Sequence, residues 1–280
     1  MRNINRRKLV VALIFLMELT HLEAQTEILK DNGSWFTFSS KISVSNKLYV
    51  LNVIQQRRVG FLSNTQGFLF APSINYYLNK NVSIGAGYLH YTYFTNGISH
   101  SPIKKEENRF FQHISIGSTI GKVIMNQRFR FEERVIDLIN TNISPNIIDG
   151  TKYVNRFRYR IHATINLFKL KNNKHLLGRL SNEIRIRFSN GIKAPDFDQN
   201  NFAALVGYKL LNNSSIWIGY GNYYFKKSST NYVSNTILHV SLSYNFDILQ
   251  WVMRKYPNVK VINLALSNQD GEETIDRYKS

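Results

Sequence analysis

The sequence predicts an all-β fold: a transmembrane antiparallel up-and-down β-barrel of about twelve strands, with ten as the fallback. Three observations carry that prediction. Apolar and polar residues alternate with period two over runs of about ten residues, as strands with two different faces require. The links between runs alternate short and long, like the periplasmic turns and extracellular loops of outer-membrane barrels. Residues 1–24 read as a cleaved export signal. Arg2, Arg6, Arg7 and Lys8 precede the apolar core Leu9–Met17, and "LEA" ending at Ala24 offers a small-residue cleavage site. That core is too short for a membrane-spanning helix, which needs roughly 20 apolar residues.

Taken in order, residues 25–247 supply the barrel and 248–280 a C-terminal tail, periplasmic or a fusion remnant. "TEILK" (Thr26–Lys30) is expected as a short first strand. "DNG" (Asp31–Gly33) would turn it back into "SWFTFSSKISV", since Asp/Asn-Gly supplies the positive-φ residues of a tight hairpin. Eleven clearer strands follow, and the even count normal for bacterial barrels makes the short one the twelfth. Short turns fall at Ser45-Asn46, Leu78–Asn81, Ile120–Lys122, Lys171–Lys174 and Asn212–Ser214. Longer polar loops fall at about 59–65, 94–108, 137–150, 190–199 and 225–234.

Within the strands, Val82, Ile84, Ala86 and Tyr88 oppose Ser83, Gly85 and Gly87, while Phe202, Ala204, Val206, Tyr208 and Leu210 share a face. Thr236, Leu238, Val240, Leu242, Tyr244 and Phe246 oppose His239, Ser241, Ser243 and Asn245. Trp35, Tyr76, Tyr77, Tyr91, Tyr93, Trp217, Tyr223 and Tyr224 lie near strand ends, where interfacial aromatic girdles are expected.

The chain is strongly basic, with 36 Lys and Arg against 18 Asp and Glu, a net +18. Loss of residues 1–24 removes four basic side chains and two acidic ones, Glu18 and Glu23, leaving +16. Such a balance favours polyanions without choosing among nucleic acid, anionic lipid and lipopolysaccharide. There is no cysteine, so neither a disulfide framework nor a thiolate metal site exists. No metal site and no cofactor loop can be named, because "GAG" at Gly85–Gly87 lies inside a strand.

Arginines recur at every second position of "VNRFRYRIH", with an echo upstream in "NQRFRFEER", interleaved with aromatics as a single-stranded nucleic acid would require. Strand parity separates the two classes. Phe157, Tyr159 and Ile161 face one way, and Arg156, Arg158, Arg160 and His162 the other. The same rule puts Arg128, Arg130, Glu132 and Arg134 on one face of their strand, and Glu183, Arg185 and Arg187 on one face of theirs. In a membrane barrel a charge on the lipid face costs about 2–4 kcal/mol at mid-membrane, so these faces should line the lumen. The eight arginines meet only Glu132 and Glu183 on their own strands, a surplus of six positive charges. Either they fill a small lumen with ion pairs and water, or they form an anion site or a narrow conduit. Glu133 has the opposite parity and falls near the extracellular rim.

Two His-x-Ser pairs, His113/Ser115 and His239/Ser241, are weak catalytic candidates for an outer-membrane lipid hydrolase, with serine as nucleophile and histidine as base. Both have lumen parity, whereas a lipid hydrolase should present them to the membrane, and no third orienting residue is identifiable. A secreted soluble β-sandwich that binds polyanions is the third class.

The stretches "DNGSWFTFSSKISVSNKLYV", "QQRR" (Gln55–Arg58), "INYYLNKNVSIGAGY", "NQRFRFEER", "NRFRYRI", "FDQNNFAALVGYKL" and "SLSYNF" together resemble an uncharacterised family of outer-membrane barrels from Bacteroidetes-type Gram-negative bacteria, known only as a domain of unknown function. The resemblance covers roughly residues 25–247 and implies the fold and a place in the outer membrane, among its lipids and lipopolysaccharide. It brings no activity and no catalytic residue. Such barrels usually end on an aromatic residue that the insertion machinery reads, here Phe246. "PNVKVINLALSNQDGEETI" (Pro257–Ile275) resembles a fragment of FkbM-type methyltransferases, too short to work as one. The resulting expectation is a porin-like barrel without enzymatic activity, acting as a narrow anion-interacting conduit or as an envelope structural or binding protein. Small anions are possible ligands, and nucleic acid is not expected as a partner.

Overall fold

Eleven strands close into one barrel with the neighbour order β1-β11-β10-β9-β8-β7-β6-β5-β4-β3-β2. The structure, a computed structural model, describes residues 27–255 except 99, 171–174, 189–194, 212 and 229. The export signal, the methyltransferase-like stretch, the 171–174 turn and half of the 190–199 loop lie outside the described residues. The strands are β1 (Glu27–Ser43), β2 (Leu48–Val59), β3 (Asn64–Tyr77), β4 (Val82–Tyr93), β5 (Lys105–Ile120) and β6 (Val123–Asn140). They continue with β7 (Ile147–Lys169), β8 (His175–Phe188), β9 (Asp196–Leu211), β10 (Ser214–Lys226) and β11 (Asn231–Asp247), and a short helix α1 (Ile248–Lys255) follows. Each consecutive pair is antiparallel, for instance Arg130 opposite Arg158 in β6 and β7. A sandwich is excluded, because closure leaves two sheets nowhere to separate.

The strand count corrects the expected twelve. "TEILK" is not a separate strand: Glu27 to Ser43 run as one strand, and the Asp31–Gly33 hairpin does not form. Gly33 is flanked on both sides, facing Val59 of β2 and Ile237 of β11. A side chain there would collide with the carbonyl oxygen of Arg58, so this glycine serves close strand approach rather than a turn. With an odd count the first and last strands of an up-and-down barrel run the same way. The seam is accordingly parallel, from Glu27 opposite Asn231 to Ser43 opposite Asp247.

Loop sorting is present but milder than the sequence implied. Strands continue into three of the expected loops, shortening them to 60–63, 141–146 and 227–230. The 94–104 connection stays long and folds over the barrel mouth. Asn96 Nδ2 donates to Thr65 O at 2.8 Å, Ile98 N to Asp31 Oδ2 at 3.1 Å and Lys227 Nζ to Ile98 O at 3.3 Å.

The alternation read from the sequence decides what each face meets. Every strand puts large apolar side chains on the outside: Phe38, Ile54, Phe70, Ile84, Ile114, Phe129, Leu167, Ile184, Val206, Ile218 and Leu242 are all exposed. Polar and charged residues are turned inward and buried, among them Glu107, Arg109, Arg130, Glu132, Arg156 and Glu183. The distribution is the inverse of a soluble protein's, in which charged side chains are rarely buried and large apolar ones gather inside.

Candidate functional site

Register builds the site in rows across β5 to β8. His113, Arg130, Arg158 and Arg185 stand side by side in one row, and Ser115, Arg128, Arg160 and Glu183 in the next toward the short turns. On the other side of the first row come Phe111, Glu132, Arg156 and Arg187, and beyond them Arg109 and Arg134. The expected arginine face therefore does point inward as one wall.

Much of that wall is tied to buried carboxylates. Glu132 receives Arg156 Nη2 at 2.6 Å and Arg158 Nη1 at 2.5 Å. Glu183 accepts from Arg158 and Arg128, with Arg185 Nη2 at 2.7 Å. Glu107 takes Arg109 Nε at 2.6 Å and also Arg134. Asp198 meets Arg156 Nη1 at 2.9 Å. Arg185 also donates to Gln199. Forked guanidiniums suit this packing because one group can bridge two carboxylates, as Arg158 and Arg156 both do. At the rim, Asp196 accepts from Arg187 at 2.8 Å and Lys226 at 2.9 Å, and these hydrogen bonds hold its carboxyl below the usual range. Glu133, as expected, faces out, opposite Asn155 in the register.

Rings pack the opposite wall, and here the sequence expectation is corrected. Trp35, Tyr91, Trp217 and Tyr223 are buried rather than set in an outer girdle. Arg57 lies 4.0 Å over the Trp35 ring and 5.1 Å from that of Tyr91, while Arg130 lies 3.9 Å over Phe111. Tyr93 donates to Glu107, and Lys41 Nζ donates to Tyr77 Oη at 3.0 Å. Tyr76 does face outward, and Tyr224 is stacked on Tyr232. The inward rings have the parity of the lumen, and stacking on guanidiniums offsets part of the cost of burying those cations.

A cavity of about 510 Å³ lies between the two walls, bordered by Arg128, Arg130, Arg158, Arg160, His162 and Arg179 on one side and Thr37, Ser39, His239 and Ser241 on the other. Phe94, Asn96, His100 and Ser101 of the mouth loop also border it. Among the described residues the buried carboxylates are Glu107, Glu132, Glu183 and Asp198, and the arginines that are buried or border the cavity are Arg57, Arg109, Arg128, Arg130, Arg134, Arg156, Arg158, Arg160, Arg179 and Arg185, Arg187 lying at the rim with Asp196. Ten cations against four anions again leave six, although the membership differs from the sequence count.

Neither His-x-Ser pair forms a nucleophile–base contact. The His113 Nδ1 and His239 Nε2 atoms are buried without a hydrogen-bond partner among the described residues, and His239 meets Trp35 edge-on at 5.0 Å. Ser115 faces Arg128 and Ser241 faces Trp217 across the register. Among the described residues no three His, Cys, Asp or Glu side chains are grouped to hold a metal.

Sequence reasoning missed Glu107, Arg109, Asp198, Arg57 and Arg179. Glu107 and Arg109 share the parity of Phe111 and His113, a signal that was available. Asp198 was not, since its even number places it with outward Phe202. A register irregularity between Arg185 and Ile186, opposite Gln199 and Phe197, turns it inward.

A family model described as "Protein of unknown function (DUF2490)" matches residues 32–234. No curated protein and no solved structure matches the chain.

Proposed function

The chain belongs to the DUF2490 family, and we propose that it is an outer-membrane β-barrel whose lumen holds small anions rather than passing them. The observation that carries this reading is the inverted burial: apolar side chains exposed on every strand around a ring of buried ion pairs. In hydrocarbon a closed barrel satisfies every backbone group, and its outer face is the apolar one. The signal-like residues 1–24 supply the export such a location needs. Outer-membrane lipid would then cover the band, and lipopolysaccharide the loop end of this basic chain.

Holding is favoured over passage because the network and the ring cluster occupy opposite walls of the same cross-section. Arg158 bridges Glu132 and Glu183, and Arg57 reaches between Trp35 and Tyr91, so these cations are fixed in place. Surplus positive charge beside the cavity supplies the attraction for an anion. No catalytic role is proposed, since neither His-x-Ser pair has the geometry of one.

The test is reconstitution of the full chain in planar bilayers. Stable insertion without stepwise current is expected. Sustained anion-selective channels would replace the binding reading by the conduit reading, and failure to partition into membranes at all would overturn the location.

A further inference from the structure

We propose that the turn-side half of the lumen is a specific site for a phosphate-type oxyanion, held by Arg128, Arg130 and Arg160 with His162 beside them. The proposal rests on the reading that the lumen holds anions, and adds the chemical class and the residues.

The register places like charges directly opposite one another: Arg128 faces Arg160, and Arg130 faces Arg158. Side chains so opposed lie about 5 Å apart at Cβ, and like charges there are destabilising unless an anion intervenes. For Arg158 the chain provides two, Glu132 and Glu183. Its neighbours fare differently. Arg128 has one contact, Nη2 to Glu183 at 2.9 Å. Arg130 approaches Glu132 only to 3.7 Å. Arg160 has no carboxylate oxygen within the 4.0 Å limit of an ion pair among the described residues.

Hydrogen bonding tells the same story independently. The Nε atoms of Arg128, Arg130 and Arg160 are buried with no partner among the described residues, as are Nε of Arg158, whose other nitrogens reach Glu132 and Glu183, and Nδ1 of His113 opposite Arg130. Arg128 and Arg130 are each more than nine-tenths buried, at 9% and 7% exposure. Buried donors are almost always satisfied, because leaving one unpaired is costly, and charged donors cost most. All three arginines and His162 border the 510 Å³ cavity, so the missing acceptor has room.

The chemistry of the acceptor follows from the donors. Three guanidiniums on two strands, with Glu183 shared among Arg128, Arg158 and Arg185, leave more than one positive charge uncompensated. A carboxylate brings one negative charge and two coplanar oxygens, and Glu183 already spends both on Arg128, Arg158 and Arg185, while chloride has no directional oxygens. A tetrahedral dianion accepts from several forks at once. The cavity exceeds a bare anion in size, so the phosphate is either free or carried on a small organic group.

Calorimetric titration of the folded full chain with inorganic phosphate, glycerol 3-phosphate and chloride decides the matter. Saturable phosphate binding is expected, weakened about tenfold or more in Arg130→Gln and Arg160→Gln. Lys80→Gln, in an exposed turn, controls for lost charge and should bind as the parent does. Arg160→Lys keeps the charge but not the fork; it should also weaken binding, and serves if the glutamine variants do not fold. Tighter binding of glycerol 3-phosphate than of phosphate would assign the carried form, and the reverse order the free ion. Chloride binding as tightly as phosphate, or phosphate binding indifferent to all three substitutions, would overturn this site while leaving an anion-holding lumen. No saturable binding of any of the three would overturn both.

Discussion

Glu132 is fully buried and touches Arg156 and Arg158 directly, with Arg130 3.7 Å away. Its value to the fold lies less in attraction than in what its loss would leave behind. Two charges in a dry interior are expensive to assemble, but one stranded alone is more so. Glu132→Gln keeps the shape and removes the charge, and should destabilise the barrel by about 3–5 kcal/mol in denaturant titrations of the reconstituted protein. A loss within about 0.5 kcal/mol would mean that the guanidiniums are hydrated and the network is not dry. At this scale the sequence showed which arginines point inward but not how they are neutralised. Parity reports a face, and neutralisation depends on partners brought in by other strands, as Glu107 of β5 is for Arg134 and Asp198 of β9 for Arg156.

Strands carry the distinction between the two faces. On β9, Val206 is exposed between the outward positions of Gly178 and Ile218, with apolar neighbours Phe202 and Leu210 exposed along the same strand. If that face meets hydrocarbon, Val206→Lys should cost about 2–4 kcal/mol. On a water-facing strand the same change would stay within about 0.5 kcal/mol, so unfolding of this variant beside Val206→Leu separates the two. Strand identity and facing were legible because period two is a local property, visible in β4, β6, β7, β8, β9 and β11 alike. What failed was punctuation. Asp31–Gly33 has the composition of a hairpin tip, yet its pairing along β11, joined at Gly33 by β2, holds it extended, and tertiary pairing overrides local turn preference. Trp35 and Tyr223 failed as girdle residues for a related reason: position along a strand does not say which wall an aromatic joins, whereas their parity did.

For the whole molecule, an odd strand number forces a parallel seam between β1 and β11, and a closed cylinder then separates an apolar exterior from a charged interior. That separation is the central claim, since the location, the arginine wall and the oxyanion site all depend on which side of the cylinder is wet. The absence of cysteine makes it directly measurable, because one introduced thiol can be spin-labelled without background. Labels at Ile218→Cys, on the exposed face of β10, and at Ser241→Cys, bordering the cavity, should be compared in reconstituted bilayers for relaxation by oxygen, which concentrates in lipid, and by a water-soluble nickel chelate. The account predicts a label at 218 relaxed by oxygen and not by nickel, and a label at 241 shielded from lipid-borne oxygen. Strong nickel relaxation at 218 would contradict it.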